Sequence, residues 1–355
     1  MPTLTARLDK VSRGITHPAM RKFFPLVCVV ALLALLLPAC GGGTGTTSLT
    51  LYTDRNSTEI GNLFDAFAKA NNIQIKVRTG STAELTAALM EEGKKSPADL
   101  VYLESGGALS LLAKQGVLGQ LPADLLAKVD KPFAAPDGSW VGATGRVRTV
   151  VYNTDQIDPA KDLPPSILGF TDPKWKGKIG WAPAHGETQG FLTALRAQLG
   201  DEATLAFLKG LQANQPKTYS NNIAITQAVA TGEVSAGLVN HYYVYRLGQG
   251  NPGYKAKNYY FLNGAPGSFV DVSAVGITST SGQRAAALKF IGYLLSPTAQ
   301  QYYADNIFEF PLAKGAPQPK DVPSLASLQP PQIDLATLTD TKGTIELMRK
   351  AGVLS

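Results

Sequence analysis

Two adjacent tyrosines, Tyr242 and Tyr243, are the side chains of this sequence with the clearest capacity for chemistry. They follow a short apolar run, residues 236–239, that predicts a buried strand. Successive side chains of a strand point to opposite faces, but both phenols can converge where the strand ends and a helix or turn begins. A trivalent cation can remove the phenol protons despite an ordinary pKa of about 10. The pair therefore indicates a site for a hard cation or, as an alternative, amphipathic packing.

The N-terminal segment predicts export. Met20, Arg21 and Lys22 precede an apolar run over residues 23–37, and small residues follow. A short positive segment, an apolar core too short for a membrane span and small residues near a cleavage point are typical of a secretory signal peptide. We therefore expect residues 1–39 to be a signal peptide, with Met20 as the true start.

Residues 37–40, Leu-Pro-Ala-Cys, resemble the bacterial lipobox, in which the cysteine is lipidated and becomes the first residue of the mature protein. The resemblance implies a lipid anchor at Cys40. It places the protein on the outer face of the cell membrane or in the periplasm. Residues 40–48 then form the lipidated cysteine and a Gly- and Thr-rich flexible tether, which reaches about 15 Å.

Removal of the signal segment changes the charge of the chain. Five of the 33 Lys and Arg residues and one of the 27 Asp and Glu residues lie in residues 1–39. The remainder carries 28 basic and 26 acidic residues, so its net charge is +2 instead of +6. We therefore expect no nucleic-acid partner. Cys28 lies in the signal and Cys40 is the lipid site, which leaves no cysteine for a disulfide or a metal.

Short apolar runs alternate with helical patterns through the first part of the remaining chain. Strands and helices are predicted in turn at residues 48–53, 58–71, 73–79, 82–93, 99–103 and 108–115. This βαβαβα order predicts an α/β fold with a mainly parallel, covered sheet. A second series follows, with strands at 146–152, 178–181 and 236–239 and helices at 189–199, 202–212 and 285–295.

The chain from residue 49 onward is longer than one hydrophobic core usually serves, so we expect two lobes. Lobe 1 is predicted to comprise residues 49–145 and 269–355, and lobe 2 residues 146–268. Two α/β lobes with crossing connections leave a cleft between them, and such clefts are favoured ligand sites.

The whole body resembles the extracellular solute-binding proteins of ABC importers, and in particular their ferric iron-binding branch. The resemblance spans roughly residues 49–312. Five segments in a fixed order carry it: Leu-Thr-Leu-Tyr-Thr-Asp-Arg-Asn at 49–56, Pro-Ala-Asp-Leu-Val-Tyr-Leu-Glu at 97–104, Arg-Val-Arg-Thr-Val-Val-Tyr-Asn at 146–153, Trp-Lys-Gly-Lys-Ile-Gly-Trp-Ala-Pro at 175–183 and Asn-His-Tyr-Tyr at 240–243. It implies the two-lobed type II periplasmic-binding fold, in which the cleft between the lobes closes by a hinge motion. The hinge strands are expected near residues 145–150 and 269–275.

The same resemblance implies Fe(III) as the ligand, held by Tyr242 and Tyr243 as phenolates. It adds Tyr152 as a third tyrosine and Glu104 as a carboxylate ligand, each from a different branch of the family. Many relatives have histidine, or histidine followed by tyrosine, after the first strand, where this chain has Asn56 and Ser57. Phenolates and a carboxylate form a hard anionic set that suits a trivalent ion better than zinc or copper.

A synergistic anion such as carbonate or phosphate, or water, is expected to complete the coordination. Arg148 is suited to neutralise an anion, and His185 and Gly186 precede a predicted helix whose first N–H groups attract anions. Asn222 and Asn240 are further polar positions implied by the resemblance. Structural alternatives remain, namely an ion pair for Arg148 and a helix cap for Asn222.

We therefore predict a monomeric receptor, not an enzyme, that captures Fe(III) and delivers it to an ABC permease and its ATPase. Two alternatives remain open. One is the same fold with its tyrosines stacked on an organic cation, such as a thiamine-like compound or a polyamine. The other is an extracellular hydrolase that uses Glu104 or Glu187 as acid or base. It is disfavoured because no nucleophile, base and orienting residue form a recognisable set.

Overall fold

The computed structural model describes residues 46–331, 333 and 335–355, which form a mixed α/β fold around an 11-stranded sheet. The predicted signal peptide, Cys40 and the first part of the tether lie outside the described residues. The tether was predicted to extend through residue 48, but the first strand already begins at Thr47, because Thr47 and Ser48 pair with Ile73 and Gln74. None of the helices in the described part is long and apolar enough to cross a membrane.

The strands follow one another along the chain as β1 (Thr47–Thr53), β2 (Ile73–Thr79), β3 (Leu100–Leu103), β4 (Leu118–Gly119), β5 (Trp140–Asn153), β6 (Ile179–Trp181), β7 (Lys217–Thr218), β8 (Ala236–Asn240), β9 (Ala256–Tyr259), β10 (Val270–Thr278) and β11 (Phe310–Pro311). Eight of them lie side by side in the order β2-β1-β3-β10-β5-β8-β6-β7. The other three, β4, β9 and β11, pair with β10 or β5.

The helices are α1 (Ser57–Asn71), α2 (Thr82–Glu92), α3 (Gly106–Lys114), α4 (Ala123–Leu126), α5 (Gly186–Leu199), α6 (Asp201–Ala213), α7 (Asn222–Ala230), α8 (Tyr242–Gly248), α9 (Arg284–Leu294), α10 (Pro297–Tyr302), α11 (Leu325–Leu328) and α12 (Thr341–Lys350). A π-helical turn, Tyr303–Ile307, follows α10. The predicted α/β alternation is confirmed.

Parallel pairing occurs in two separate sets of strands. β1 pairs in parallel with β2 and β3, and β6 pairs in parallel with β7 and β8. The prediction of a mainly parallel sheet is wrong in the middle, where β10 runs antiparallel to β3 and β5, and β5 runs antiparallel to β8. All 14 residues of β5 are buried, because both faces of this long strand are covered.

The hydrophobic core has two main parts, which define the two halves of the molecule used below. The first half comprises β1–β4 and β10 with α1–α3 and α9; its core includes Phe67 and Phe290, whose rings meet edge to face at 5.1 Å. The second half comprises β6–β9 with α5–α8; its core includes Phe170, Trp175 and Leu208. Burial of each such large apolar side chain stabilises the fold by roughly 1.5–3 kcal/mol. Because β5 continues through residue 145, one strand extends across the predicted lobe boundary.

Helix α12 packs against the second half, although the sequence assigned residues 269–355 to lobe 1. Leu347 and Met348 belong to the core of the second half, and the hydroxyl groups of Thr193 and Thr344 lie 2.9 Å apart. A local sequence pattern does not determine the surface on which the apolar face of a helix is buried. The other lobe boundaries stay a prediction.

Candidate metal centre

Tyr242 and Tyr243 lie at the junction of β8 and α8, as the pattern predicts. β8 ends at Asn240, and His241 already has helical dihedral angles, so the strand alternation is broken before the tyrosines. The two ring centroids are 4.4 Å apart. Tyr242 is 4% exposed and Tyr243 is half-buried. The turn therefore holds the two phenols side by side.

Glu187 is the carboxylate in direct contact with this pair. The Tyr242 hydroxyl donates to Glu187 Oε1 at 2.8 Å, and Asn222 Nδ2 donates to Glu187 Oε2. Glu187 lies in the first turn of α5, whose N-cap His185 accepts from the Glu187 N–H through Nδ1 at 3.4 Å. The sequence pattern suggests Glu187 only as an acid or base for the hydrolase alternative. A helix predicted from residue 189 begins three residues earlier in the structure, which places Glu187 at the site.

The five residues proposed to bind an anion are also brought together. Arg148 donates through Nη1 to Oδ1 of Asn222 at 3.2 Å and of Asn240 at 3.5 Å, and through Nη2 to Thr188 Oγ1 at 3.0 Å. Gly186 and His185 form the start of α5 beside them, so a carboxylate of the chain, that of Glu187, lies among these groups.

Burial controls the protonation of these side chains. It raises the pKa of Tyr242 well above the ordinary value, and the neighbouring Glu187 charge adds to this effect. Burial and the Glu187 charge also raise the pKa of Tyr243 to about 12. Burial lowers the pKa of Arg148 to about 10, which still leaves it charged near neutral pH. Both phenols are thus protonated near neutral pH, and they can become phenolates only when a cation compensates the charge.

Glu104 reaches the same region from the first half of the molecule. It follows β3 and pairs with Arg55 at 3.2 Å and Arg146 at 3.4 Å, and its side chain is 28% exposed. A cavity of about 580 Å³ extends from Glu104 to Glu187 and is also lined by Asp54, Arg146 and Asp271, together with His185 and Gly186. Burial and the Glu104 charge raise the pKa of Asp54 to about 6. The cavity therefore joins carboxylates from both halves, as expected for a ligand cleft.

Tyr152 does not reach this site, contrary to the prediction. In the antiparallel pairing of β5 with β8, Arg148 lies opposite Asn240 and Tyr152 opposite Ala236. Four residues of strand place Tyr152 about 13 Å from the end that leads to the tyrosine pair. Its ring is 7% exposed and packs in the core of the second half. The motif identifies the strand, but the register decides which of its residues reach the site.

Asn56 and His241 have structural roles. Asn56 caps α1 by accepting from the Thr58 N–H at 3.0 Å. His241 is fully buried and accepts from the Val147 N–H through Nδ1 at 3.2 Å, and burial lowers its pKa to about 4. Both side chains are thus engaged with backbone N–H groups.

Residues 62–330 match the family of bacterial extracellular solute-binding proteins. The chain belongs to this family. It is 32% identical over 332 residues to the Fe(3+)-binding periplasmic protein of Serratia marcescens, covering 92% of this chain and 97% of that protein.

Two solved structures show the same fold. One is iron-bound HitA from Pseudomonas aeruginosa, with a TM-score of 0.79, 33% identity and coverage of 86% of this chain and 99% of that one. The other is a Trichodesmium protein in complex with iron and citrate ligands, with a TM-score of 0.76, 25% identity and coverage of 86% and 100%. The resemblance to the ferric iron-binding branch, with its type II periplasmic-binding fold, is confirmed. The names of these relatives describe binding proteins, not enzymes.

Proposed function

We propose that the protein binds Fe(III) through Tyr242, Tyr243 and Glu187 and delivers it to an ABC permease and its ATPase. The observation that carries this proposal is the 2.8 Å contact between the Tyr242 hydroxyl and Glu187, beside a second phenol whose ring is 4.4 Å away. A relative named as an Fe(3+)-binding protein and the iron-bound HitA structure support the same cargo.

The charge of this ligand set suits a trivalent ion. Loss of both phenol protons leaves two phenolates, which together with the Glu187 carboxylate carry three negative charges. All donors are oxygen, and hard anionic oxygen ligands favour Fe(III) over zinc or copper. Because burial holds the phenols neutral before binding, the ion itself must drive their deprotonation, and an organic cation of lower charge density would do so far less.

Glu104 is proposed as a further ligand from the opposite half of the molecule. Arg55 pairs with its Oε1 and Arg146 with its Oε2, and the side chain is 28% exposed and lines the cavity. An ion bound by Glu187 and Glu104 together draws the two halves toward each other. We expect the hinge in β5, which extends across the predicted lobe boundary, and in its antiparallel partner β10.

The delivery step and the membrane anchor rest on the family and on the predicted lipobox. An extracellular solute-binding protein hands its cargo to a permease, and a lipid at Cys40 would keep the monomeric receptor near that partner. Export with a lipid anchor is tested by labelling with a radioactive fatty acid, which Cys40→Ser should abolish. Labelling that persists in the variant would contradict the anchor.

The iron proposal is tested by titrating the purified protein aerobically with Fe(III)-citrate and recording the visible spectrum. We expect a tyrosinate-to-iron charge-transfer band that saturates at one ion per chain and is lost in the Tyr242→Phe, Tyr243→Phe double variant. Tyr152→Phe is the matched control, and it should bind as the wild type does because that ring lies in the core. A wild-type protein that shows no band and retains no iron after desalting would refute the proposal. Binding of organic cations would then be measured by calorimetry.

A further inference from the structure

Arg246 makes contacts that link Tyr242 to the opposite half of the molecule. It lies on α8, four residues after Tyr242, and its guanidinium carbon is 4.1 Å from the centroid of the Tyr242 ring. Its Nη1 pairs with Glu59 Oε1 at 2.6 Å. Its Nε and Nη2 donate to the Ile307 carbonyl at 3.3 and 3.1 Å. Each part of the guanidinium therefore has a defined partner.

The partners of Arg246 lie on elements that pack in the core of the first half. Glu59 lies in the first turn of α1, and its carbonyl accepts from the Tyr302 hydroxyl at 2.8 Å. Ile307 ends the π-helical turn that follows α10 and is buried. The guanidinium is thereby fixed by α1 and this turn while its flat face covers a tyrosine of the second half. Such an arrangement transmits the spacing between α1 and α8 to the Tyr242 ring.

We propose that Arg246 is a positioning residue for the metal site, which fixes the Tyr242 ring and couples iron retention to the contact between α8 and α1. This inference rests on the proposed function. The Tyr242 ring contacts both the Arg246 guanidinium, at 4.1 Å, and the Tyr243 ring, at 4.4 Å, while its hydroxyl donates to Glu187. When the phenol becomes a phenolate, its ring carries more negative charge and attracts the guanidinium more strongly.

A positioning role of this kind has a spectroscopic signature. A positive charge above the ring lowers the energy of the phenolate electrons, so the charge-transfer band lies at shorter wavelength when Arg246 is present. Loss of the charge should move the band to longer wavelength. A role in folding alone would lower stability and leave the band of the folded, iron-loaded protein where it is.

The test compares iron-loaded wild type with Arg246→Gln, Arg246→Lys and Glu59→Gln. For Arg246→Gln we expect a band shifted to longer wavelength and iron release to a competing chelator roughly tenfold faster, the effect of losing a desolvated cation–π contact. Arg246→Lys keeps the charge and should restore the band position in part. Glu59→Gln keeps Arg246 but replaces its ion pair with α1 by a weaker neutral hydrogen bond, so release should accelerate with little change in the band.

Arg78 offers a matched control, because it stacks on the Tyr52 ring at 4.7 Å and pairs with Glu92 at 2.6 Å outside the candidate site. Arg78→Gln should leave both the band and the release rate unchanged. A wild-type band position and release rate in Arg246→Gln would overturn the inference. If Arg246→Gln does not fold, a wild-type release rate in Glu59→Gln overturns the proposed coupling between iron retention and the contact of α8 with α1. If the wild-type protein shows no band, the proposed function is refuted. That outcome differs from the two that contradict the role of Arg246.

Discussion

At the scale of single residues, Glu187 supplies a negative charge where an external anion was expected. Arg148, Asn222 and the start of α5 were proposed from the sequence to hold carbonate or phosphate. In the structure Asn222 donates to Glu187, and Arg148 donates to Asn222. A carboxylate of the chain therefore has the partners that an anion would need, and iron binding is expected to proceed without added anion.

This expectation is tested with Glu187→Gln. The amide has the same shape but lacks the charge, so we expect iron affinity to fall roughly 10- to 100-fold, as on loss of a group that supports a metal site. Added phosphate or bicarbonate should restore part of the affinity in the variant and change little in the wild type. Competition with a chelator measures both, and Glu202→Gln on the exposed face of α6 is the control. Equal anion dependence in wild type and variant would contradict the role of Glu187.

The buried phenols predict a pH dependence of iron binding. Since burial raises the pKa of Tyr243 to about 12 and that of Tyr242 well above its ordinary value, both are protonated between roughly pH 6 and 8. Each phenol that binds Fe(III) then releases one proton, so affinity rises with pH by up to about 100-fold per pH unit for two protons. A pH-stat measures the release when a ferric chelate is added, after correction for the protons of the chelator. Tyr243→Phe should release one proton fewer, and equal release from both proteins would count against phenolate ligation.

At the scale of elements, the sequence predicts the β8–α8 junction because an apolar run and its end are local properties. The position of Tyr152 depends instead on the register of β5 against β8. The sequence motif that includes Tyr152 carries no information about this register. The start of α5 depends on the His185 cap, and histidine is a weaker cap signal than serine or aspartate. The sequence thus located the tyrosines and the polar pocket, but it placed one residue wrongly and missed Glu187.

A buried ion pair connects the elements beneath the site. Glu309 is fully buried, pairs with Arg55 at 2.8 Å and accepts from the Thr144 hydroxyl at 2.5 Å. Burial alone would raise the pKa of Glu309, but the Arg55 and Arg146 charges hold it at about 2, below its usual 4.5. A carboxyl group with a depressed pKa stabilises the fold above its unfolded pKa. This contribution is fully present above about pH 5 and is lost as the pH falls toward 2.

We therefore expect Glu309→Gln to lower the free energy of unfolding by about 3–5 kcal/mol at neutral pH, because Arg55 keeps its charge in a buried position without its closest partner. Urea denaturation measures the loss, and Glu91→Gln on the exposed surface of α2 is the control. The difference between wild type and variant should shrink in acid as Glu309 is protonated in the wild type. An unchanged midpoint at neutral pH would show that the pair contributes no net stability.

At the scale of the whole molecule, the candidate ligands are divided unequally between the two halves. Tyr242, Tyr243 and Glu187 lie on α8 and α5 of the second half, whereas Glu104 follows β3 of the first. We therefore expect the second half to hold an ion by itself and Glu104 to add the contact that joins the halves. A ligand that contacts both halves shifts the population toward the closed form by its differential affinity for that form. A mutation should therefore be able to impair closure of the cleft without abolishing capture of the iron.

Glu104→Gln is expected to separate them. The charge-transfer band should persist, because both phenols and Glu187 are unchanged, while iron is released faster and the iron-induced decrease in the radius of gyration becomes smaller. The fold should remain intact, since Arg55 keeps Glu309 at 2.8 Å and Arg146 keeps Asp271 at 3.0 Å. Small-angle X-ray scattering with and without iron measures the compaction, and Glu346→Gln on the exposed face of α12 is the control. Compaction equal to that of the wild type would show that the second half closes the cleft without a ligand from the first.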